Sequence, residues 1–456
     1  MRDLLLTAIV FGITPIAFYR PWIGVLTYFW LSLMNPHKLS WGFAVTMPFA
    51  QIIALATLGG LLFTKDRKKI PWTPELALMI VLGIYFTLST ATAWEPHHAW
   101  IRWTEIMKIY LMTFVMTMLI YSKERIRYLL LVASLGIGFY GLKGGIFTLM
   151  GGGANMVNGP SRSFIGTNNE IGLALLMVVP ILVFLAREEK HKWFKPLLWS
   201  VAGLSMLSII FTYSRGAMLG LAILLPLMFL KSRAKILTLV VFLPLAWIGY
   251  QWAPESIFKR ASKIETYQED NSAMQRLQAW SVAWNIAKDF PLTGGGFELE
   301  YSPDEARWLS YADRKYDAYG QVSRAFHSLY FQVIGHHGFV AAFLYYLMLF
   351  LLLCRLYRLR RLANKRAELQ WIGNYADGLF LGMIGFLVTG AFVNVAYFDL
   401  MYLFLALTAV MQREADTFNA AQQPAPHRRF ASGRSLKASP SLAAATPEHT
   451  APVPRR

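Results

Sequence analysis

Long apolar stretches recur along almost the whole chain, and short basic or polar segments separate them. A helix that crosses about 30 Å of hydrocarbon needs about 20 mostly apolar residues. Lipid offers no partner for free backbone groups, so these stretches predict membrane-spanning helices. The predicted spans are 44–64, 74–94, 101–121, 127–149, 170–186, 196–213, 217–231, 235–252, 329–354, 377–395 and 398–412.

The beginning of the chain leaves two possibilities open. Residues 4–34 are apolar, but Pro15 and the pair Arg20-Pro21 interrupt them. They form either two short spans or one broken span, since proline removes a backbone donor inside a helix. We favour twelve spans, which puts both chain ends on the same side of the membrane.

Basic residues cluster in five short segments between the spans. Two predicted spans separate each neighbouring pair of the first four clusters, so these four share one face of the membrane. Two predicted spans, with the long polar segment between them, also separate the fourth cluster from the fifth, so the fifth lies on this face as well. The positive-inside rule identifies the face as cytoplasmic. The clusters lie at 65–69, 123–127, 187–195, 231–235 and 355–366.

Composition supports a membrane protein and argues against a nucleic-acid partner. Hydrophobic residues make up 55% of the 456, and charged residues only 15%, where a soluble domain carries about a quarter. Lys and Arg outnumber Asp and Glu by 44 to 26, which gives a net charge of +18. Nucleic-acid binding would fit that charge, but the basic clusters lie at one membrane face, so we expect no such partner.

These patterns predict an all-α fold: a polytopic helical membrane bundle with about twelve transmembrane helices. N-terminal spans occupy 1–252, and a large loop on the outer, non-cytoplasmic face, which contains short helices, occupies 253–328. C-terminal spans follow over 329–412, and a disordered cytoplasmic tail occupies 413–456. Within the loop, 274–288 has a helical apolar period that predicts an amphipathic helix on the membrane surface.

Three residues on the predicted outer face form the main candidate site. Arg215 lies in a tight turn between two spans, Arg276 in the amphipathic helix, and His327 where the loop re-enters the membrane. Arginine binds phosphate oxygens with a planar fork of donors, and histidine takes a proton from a hydroxyl near neutral pH. The alternative is structural, since interfacial arginines also anchor to lipid headgroups.

Six further residues are secondary candidates. Lys108 and Lys143 lie in predicted spans, where ionisable groups are costly and indicate function by default, although an ion pair that orients two helices fits as well. The loop around Asn169 suits a sugar or phosphate contact or a plain turn, and His337 is a rival base or a packing residue. No motif for a metal is present, so we expect neither a metal nor a cofactor. The secondary candidates are Lys108, Lys143, Arg162, Asn169, Arg324 and His337.

The candidate residues and their neighbours resemble the O-antigen ligase and O-antigen polymerase superfamily. The N-terminal portion from Met1 to His37, and the segments 71–75 and 141–145, are similar to the subgroup of exosortase-A-associated O-glycosylation ligases. The family pattern after the histidine ends in Gly, Thr or Tyr, where this chain has Ala341. The residues that carry the superfamily resemblance are Arg215, Arg276, Trp280, Pro291, Gly294, Gly296, Phe297, His327, Ser328 and Gly338.

The resemblance implies the reaction and the roles of the site residues. A glycan on undecaprenyl pyrophosphate is moved to an acceptor hydroxyl without a metal, on the periplasmic side of the bacterial inner membrane, so the loop 253–328 would be periplasmic. His327 would be the general base, and Arg215 and Arg276 would hold the pyrophosphate. The acceptor expected first is lipid A–core oligosaccharide. Alternatives are a protein hydroxyl, a second lipid-linked repeat as in a polymerase, and, from another class, a transporter of lipid-linked sugars.

Overall fold

The computed structural model confirms the all-α membrane bundle. It describes residues 1–231, 235, 247, 271–302, 304–319 and 322–422, and within these ranges the chain forms helices and no strand. Seven of the described helices are long and apolar enough to cross a membrane, and three shorter apolar helices accompany them. Most of the predicted span 235–252, the loop residues 253–270 and the tail beyond 422 lie outside the described residues.

The α-helices of the described chain follow the predicted spans closely. They are α1 (Arg2–Tyr19), α2 (Pro21–Met34), α3 (Phe49–Phe63), α4 (Pro74–Ala91), α5 (Pro96–Leu119), α6 (Ser122–Gly151), α7 (Asn168–Glu188), α8 (Phe194–Phe211), α9 (Arg215–Leu230), α10 (Asn271–Asp289), α11 (Glu305–Ser310), α12 (Leu329–Ala363), α13 (Gln370–Gly390) and α14 (Asp399–Ala421). Helix α7 lies at the centre, with every residue from Ile171 to Ala186 buried. Its sequence is apolar on all sides, as a helix surrounded by other helices requires.

The five basic segments meet on one face of the bundle, which we call the basic face; the opposite side is the outer face. Contacts between segments show this arrangement directly. Arg125 forms an ion pair with Asp66, 2.6 Å from guanidinium nitrogen to carboxylate oxygen, and Arg127 pairs with Glu189. Deeper in the same face, Asp377 accepts both Arg360, at 3.0 Å, and Lys231.

Arg413 ties the end of α14 to this basic face. Its guanidinium donates to the backbone carbonyls of Lys69, in the loop before α4, and of Thr117 and Ile120, at the end of α5, at 2.8–3.0 Å. These bonds keep the helix ordered beyond the membrane, and it continues to Ala421. The predicted tail boundary at 413 is therefore too early, and residues 413–421 are helical.

The first apolar stretch forms two antiparallel helices, broken at Arg20-Pro21. At the start of α1, the Asp3 carboxylate accepts the Gly42 N–H at 3.0 Å, and near its end Phe18 packs against Gly60. Helix α1 therefore runs parallel to α3, whose last residues lead into the basic face. Helix α1 begins on the outer face and α14 ends on the basic face, so the two ends of the described chain lie on opposite faces, contrary to the expectation.

Helix α12 is interrupted at Gly338, which adopts φ 78° and ψ −177°. The break removes the usual helical partners of the Gly335 and His336 carbonyls. The backbone N–H groups of Gly295 and Gly296 replace them, each at 2.9 Å. Irregular backbone at membrane depth requires such a partner from the protein itself.

The loop that fills this break also leaves no room for a side chain at Gly338. A Cβ there would lie 2.4 Å from the Pro291 carbonyl oxygen, and the positive φ disfavours any L-residue. Pro291 also accepts the Val340 N–H at 3.4 Å, which closes the far side of the break. The outer loop and α12 are thus joined backbone to backbone.

We predict that Gly338→Ala lowers stability by about 1–3 kcal/mol, because the strained backbone and the contact with Pro291 add to each other. Gly203→Ala in α8 is the matched control, since a Cβ there meets nothing within 4 Å. Thermal unfolding in detergent, followed by tryptophan fluorescence, makes the measurement. Equal midpoints for the two variants would contradict the tight fit at the break.

Candidate functional site

A cavity of about 390 Å³ opens on the outer face beside the first turns of α10. Its wall brings together three candidates of the sequence analysis, Arg276, Arg324 and His327. All three belong to the large loop predicted as periplasmic. The cavity is lined by Ser272, Gln275, Arg276, Arg324, Ala325 and His327.

Helix α10 presents Arg276 to the cavity from its first turns. Ser272, Gln275 and Arg276 are spaced i, i+3 and i+4, so they share one face. Further along the helix the same face is apolar and packs against α12, where the Trp280 ring stacks on Phe331 with centroids 5.0 Å apart. The buried residues of that face include Ala279, Val282, Ala283, Ile286 and Ala287.

Gln275 orients the second arginine of the cavity. Its side-chain oxygen accepts from the Arg324 guanidinium at 2.5 Å, while its amide donates to the Tyr319 carbonyl at 3.0 Å. Both the oxygen and the nitrogen of the Gln275 side chain therefore have a partner, and this holds the Arg324 guanidinium in one orientation. Two permanently charged side chains, Arg276 and Arg324, thus line a single cavity.

His327 is exposed to the cavity and has a left-handed backbone, with φ 47°. Non-glycine residues adopt this conformation only when their surroundings hold it. On one side the Trp280 indole N–H donates to the Phe326 carbonyl at 2.8 Å. On the other side the Ser328 N–H donates to the Asn394 side chain at 3.3 Å. The backbone on both sides of His327 is therefore held, by a residue of α10 and by a residue of the loop after α13.

The surroundings of His327 keep its imidazole neutral. Desolvation by the surrounding protein lowers the pKa of His327, and the positive charge of Arg276 lowers it further. Arg324 acts in the same direction, whereas the charge of Glu300 raises the pKa. A neutral imidazole at neutral pH has a free nitrogen lone pair, which a general base requires.

Arg215 lies on the outer face but does not line this cavity. It is the first residue of α9 and is exposed, and Ser214 caps the helix by accepting the Ala217 N–H at 3.3 Å. The next residue, Gly216, accepts the Thr389 hydroxyl at 3.3 Å. That contact places Arg215 beside the end of α13, which leads to the loop that contains the partner of Ser328.

The remaining secondary candidates lie apart from the cavity. Lys108 and Lys143 are exposed on the surfaces of α5 and α6. Arg162 is exposed in a loop with φ 61°, and Asn169 is half-buried in the first turn of α7. His337 is fully buried, and its Nδ1 lies 2.5 Å from the Ser89 hydroxyl. None of these five residues lines the wall that His327 and Arg276 share.

A buried polar chain next to the site escaped the sequence analysis. The Glu300 carboxylate lies 2.9 Å from His336 Nε2, and His336 Nδ1 lies 3.1 Å from the Tyr397 hydroxyl. The available signal was an acidic residue four positions after Gly296, inside the segment that carries the glycine motif. No cluster of three metal-ligating side chains occurs among the residues that the structure describes.

We predict that Arg276→Gln raises the pKa of His327, because it removes a positive charge that disfavours protonation of the imidazole. NMR titration of ¹³C-labelled histidine in nanodiscs measures this, with the signal assigned from its loss in His327→Asn. Lys288→Gln, at the exposed far end of the same helix, is the control and should leave the pKa unchanged. An unchanged pKa in Arg276→Gln would show that the two side chains do not interact.

Two family models match the chain, and no curated protein matches it. Residues 1–190 match a family of unknown function, and residues 199–346 match the O-antigen ligase family. The second match contains Arg215 and the whole cavity with Arg276, Arg324 and His327. Residues 199–346 are therefore similar to the O-antigen ligase family, which supports the resemblance to the O-antigen ligase and polymerase superfamily.

Proposed function

We propose that the chain is a glycosyltransferase that moves a glycan from undecaprenyl pyrophosphate to a hydroxyl of lipid A–core oligosaccharide. The family supports a ligase or polymerase role with a lipid-linked glycan donor. The observation that carries the finer proposal is the cavity in which two fixed arginines face one neutral histidine. Its position on the outer face fits a reaction on the periplasmic side of the inner membrane.

The arginines suit the leaving group. As the bond from the anomeric carbon to the pyrophosphate oxygen breaks, the electron pair goes to that oxygen and negative charge develops on it. Arg276 and Arg324 hold two guanidinium groups where this charge would form, and fixed donors need no reorganisation during the reaction. Arg215, beside the end of α13, would hold the part of the anionic headgroup outside the cavity wall.

His327 suits the acceptor. Its neutral imidazole takes the proton of the acceptor hydroxyl while that oxygen forms the new bond to the anomeric carbon. Attack opposite the departing pyrophosphate inverts the configuration at that carbon in one step. The proton on the imidazole and the new charge on undecaprenyl pyrophosphate balance each other, so the step needs no further reactant.

We predict that His327→Ala lowers the transfer rate by about 10²–10⁴-fold, the usual contribution of a positioned base. His98→Ala removes an exposed histidine of the outer face and should keep full activity. Purified enzyme in nanodiscs is given the lipid-linked donor with lipid A–core, a hydroxyl-containing peptide or a second lipid-linked repeat. Full activity of His327→Ala would rule out the base, and transfer to another acceptor would redirect the proposal to a protein ligase or a polymerase.

We predict that Arg276→Ala lowers kcat/KM by about 10²–10³-fold, because a charge-stabilising donor is lost from the transition state. Arg276→Lys should recover only part of this loss, since lysine keeps the charge but not the planar fork. Arg314→Ala, an exposed arginine of the same loop, is the control. If Arg276→Ala and Arg314→Ala behave alike in the transfer assay, Arg276 does not bind the pyrophosphate.

A further inference from the structure

Glu300 is a buried acid at the junction between the outer loop and the membrane. It lies in the short 3-10 turn Leu299–Tyr301, directly after the glycine loop that fills the break in α12. Its side chain is 3% exposed, and the partner imidazole of His336 is completely buried. Burying a carboxylate is costly unless hydrogen bonds compensate it, so its position needs an explanation beyond packing.

The backbone of Glu300 is attached to the segment that carries His327. The Glu300 carbonyl accepts the Ser323 hydroxyl at 2.8 Å, one residue before Arg324. Further along this segment, the Phe326 ring packs against the His336 ring, with centroids 5.7 Å apart. The dyad of Glu300 and His336 therefore contacts the His327 segment at two points, one polar and one aromatic.

Glu300 also supplies the negative charge that acts on His327. The positive charge of Arg276 acts on the imidazole from α10, and that of Arg324 acts from the segment that carries His327 itself. Near Glu300, Arg102 forms ion pairs with two further carboxylates, Glu105 at 2.7 Å and Glu298 at 3.4 Å. The packed helix α12 contributes His336, which is already engaged by Glu300.

This arrangement resolves a conflict within the cavity. Two permanent cations suit a pyrophosphate, but they also weaken a base placed beside them, because they disfavour its protonated form. A fixed carboxylate behind the base offsets them without entering the cavity. We propose that Glu300 is a positioning residue that holds the His327 segment and supplies the counter-charge that keeps His327 an effective base. The proposal rests on the proposed role of His327.

Glu300→Gln tests the charge separately from the fold. Glutamine has the same shape and still hydrogen-bonds to His336, so it removes the charge alone. We expect the pKa of His327 to fall in the NMR titration, because a nearby negative charge favours the imidazolium. In a plot of transfer rate against pH, the rise on the acid side then moves to lower pH. The maximal rate above that rise falls by roughly two- to tenfold, because His327 is a weaker base.

Two further variants complete the test. Glu300→Asp keeps the charge but withdraws it by one methylene, so the pKa of His327 should fall between those of the wild type and Glu300→Gln. If Glu300→Gln does not fold, Glu300→Asp alone provides the test of the charge. Glu305→Gln, which removes an exposed acid of α11, is the control and should leave both readouts unchanged.

The outcomes separate this inference from the proposed function. A pKa of His327 that is the same or higher in Glu300→Gln and Glu300→Asp overturns the counter-charge. The titration needs no substrate, so it decides this point even if the chain catalyses another transfer. A fall in the pKa together with full activity of His327→Ala would keep the electrostatic coupling but overturn its role in the reaction.

Discussion

The break in α12 is the constraint on which the site depends. A membrane helix satisfies its own backbone groups, and each group left without a partner in lipid costs several kcal/mol. Here the carbonyls of Gly335 and His336 lose their helical donors at Gly338, and the N–H groups of Gly295 and Gly296 replace them. The outer loop is therefore a required part of the membrane bundle and not an appendage to it.

The docking of the glycine loop at the break in α12 positions the residues of the candidate site. The same glycine loop leads into Glu300, and the same stretch of α12 carries His336, so the buried dyad forms where they meet. From there the Ser323 contact reaches the segment that holds His327. Arg276 comes from α10, which packs on the outer part of α12. One backbone junction thus positions both the cations and the imidazole.

The sequence was most informative where a property repeats locally. Apolar length predicted the spans, and charge parity placed the basic segments on one face, which the pair of Arg125 with Asp66 confirms. Residue type and position predicted Arg276 and His327 as neighbours, because both had to lie on the outer face. The same reasoning grouped Arg215 with them, although its turn ends at α13, outside the cavity wall.

The sequence was least informative where a contact joins distant positions. Glu300 meets His336 across 36 residues and, through it, Tyr397 across another 61, and no periodicity encodes such a pairing. The direction of α1 was also hidden, since the Arg20-Pro21 interruption fits one bent helix as well as two. The contacts of Asp3 with Gly42 and of Phe18 with Gly60 distinguish these possibilities.

The interrupted helix also imposes an order on biogenesis. The glycine loop is synthesised about 40 residues before the break that it fills, so it waits outside the membrane until α12 is inserted. Until it docks, two carbonyls of α12 remain without their protein donors. Assembly of the cavity is therefore a late event that follows membrane insertion, and the protein gains its candidate site and completes its bundle in the same step.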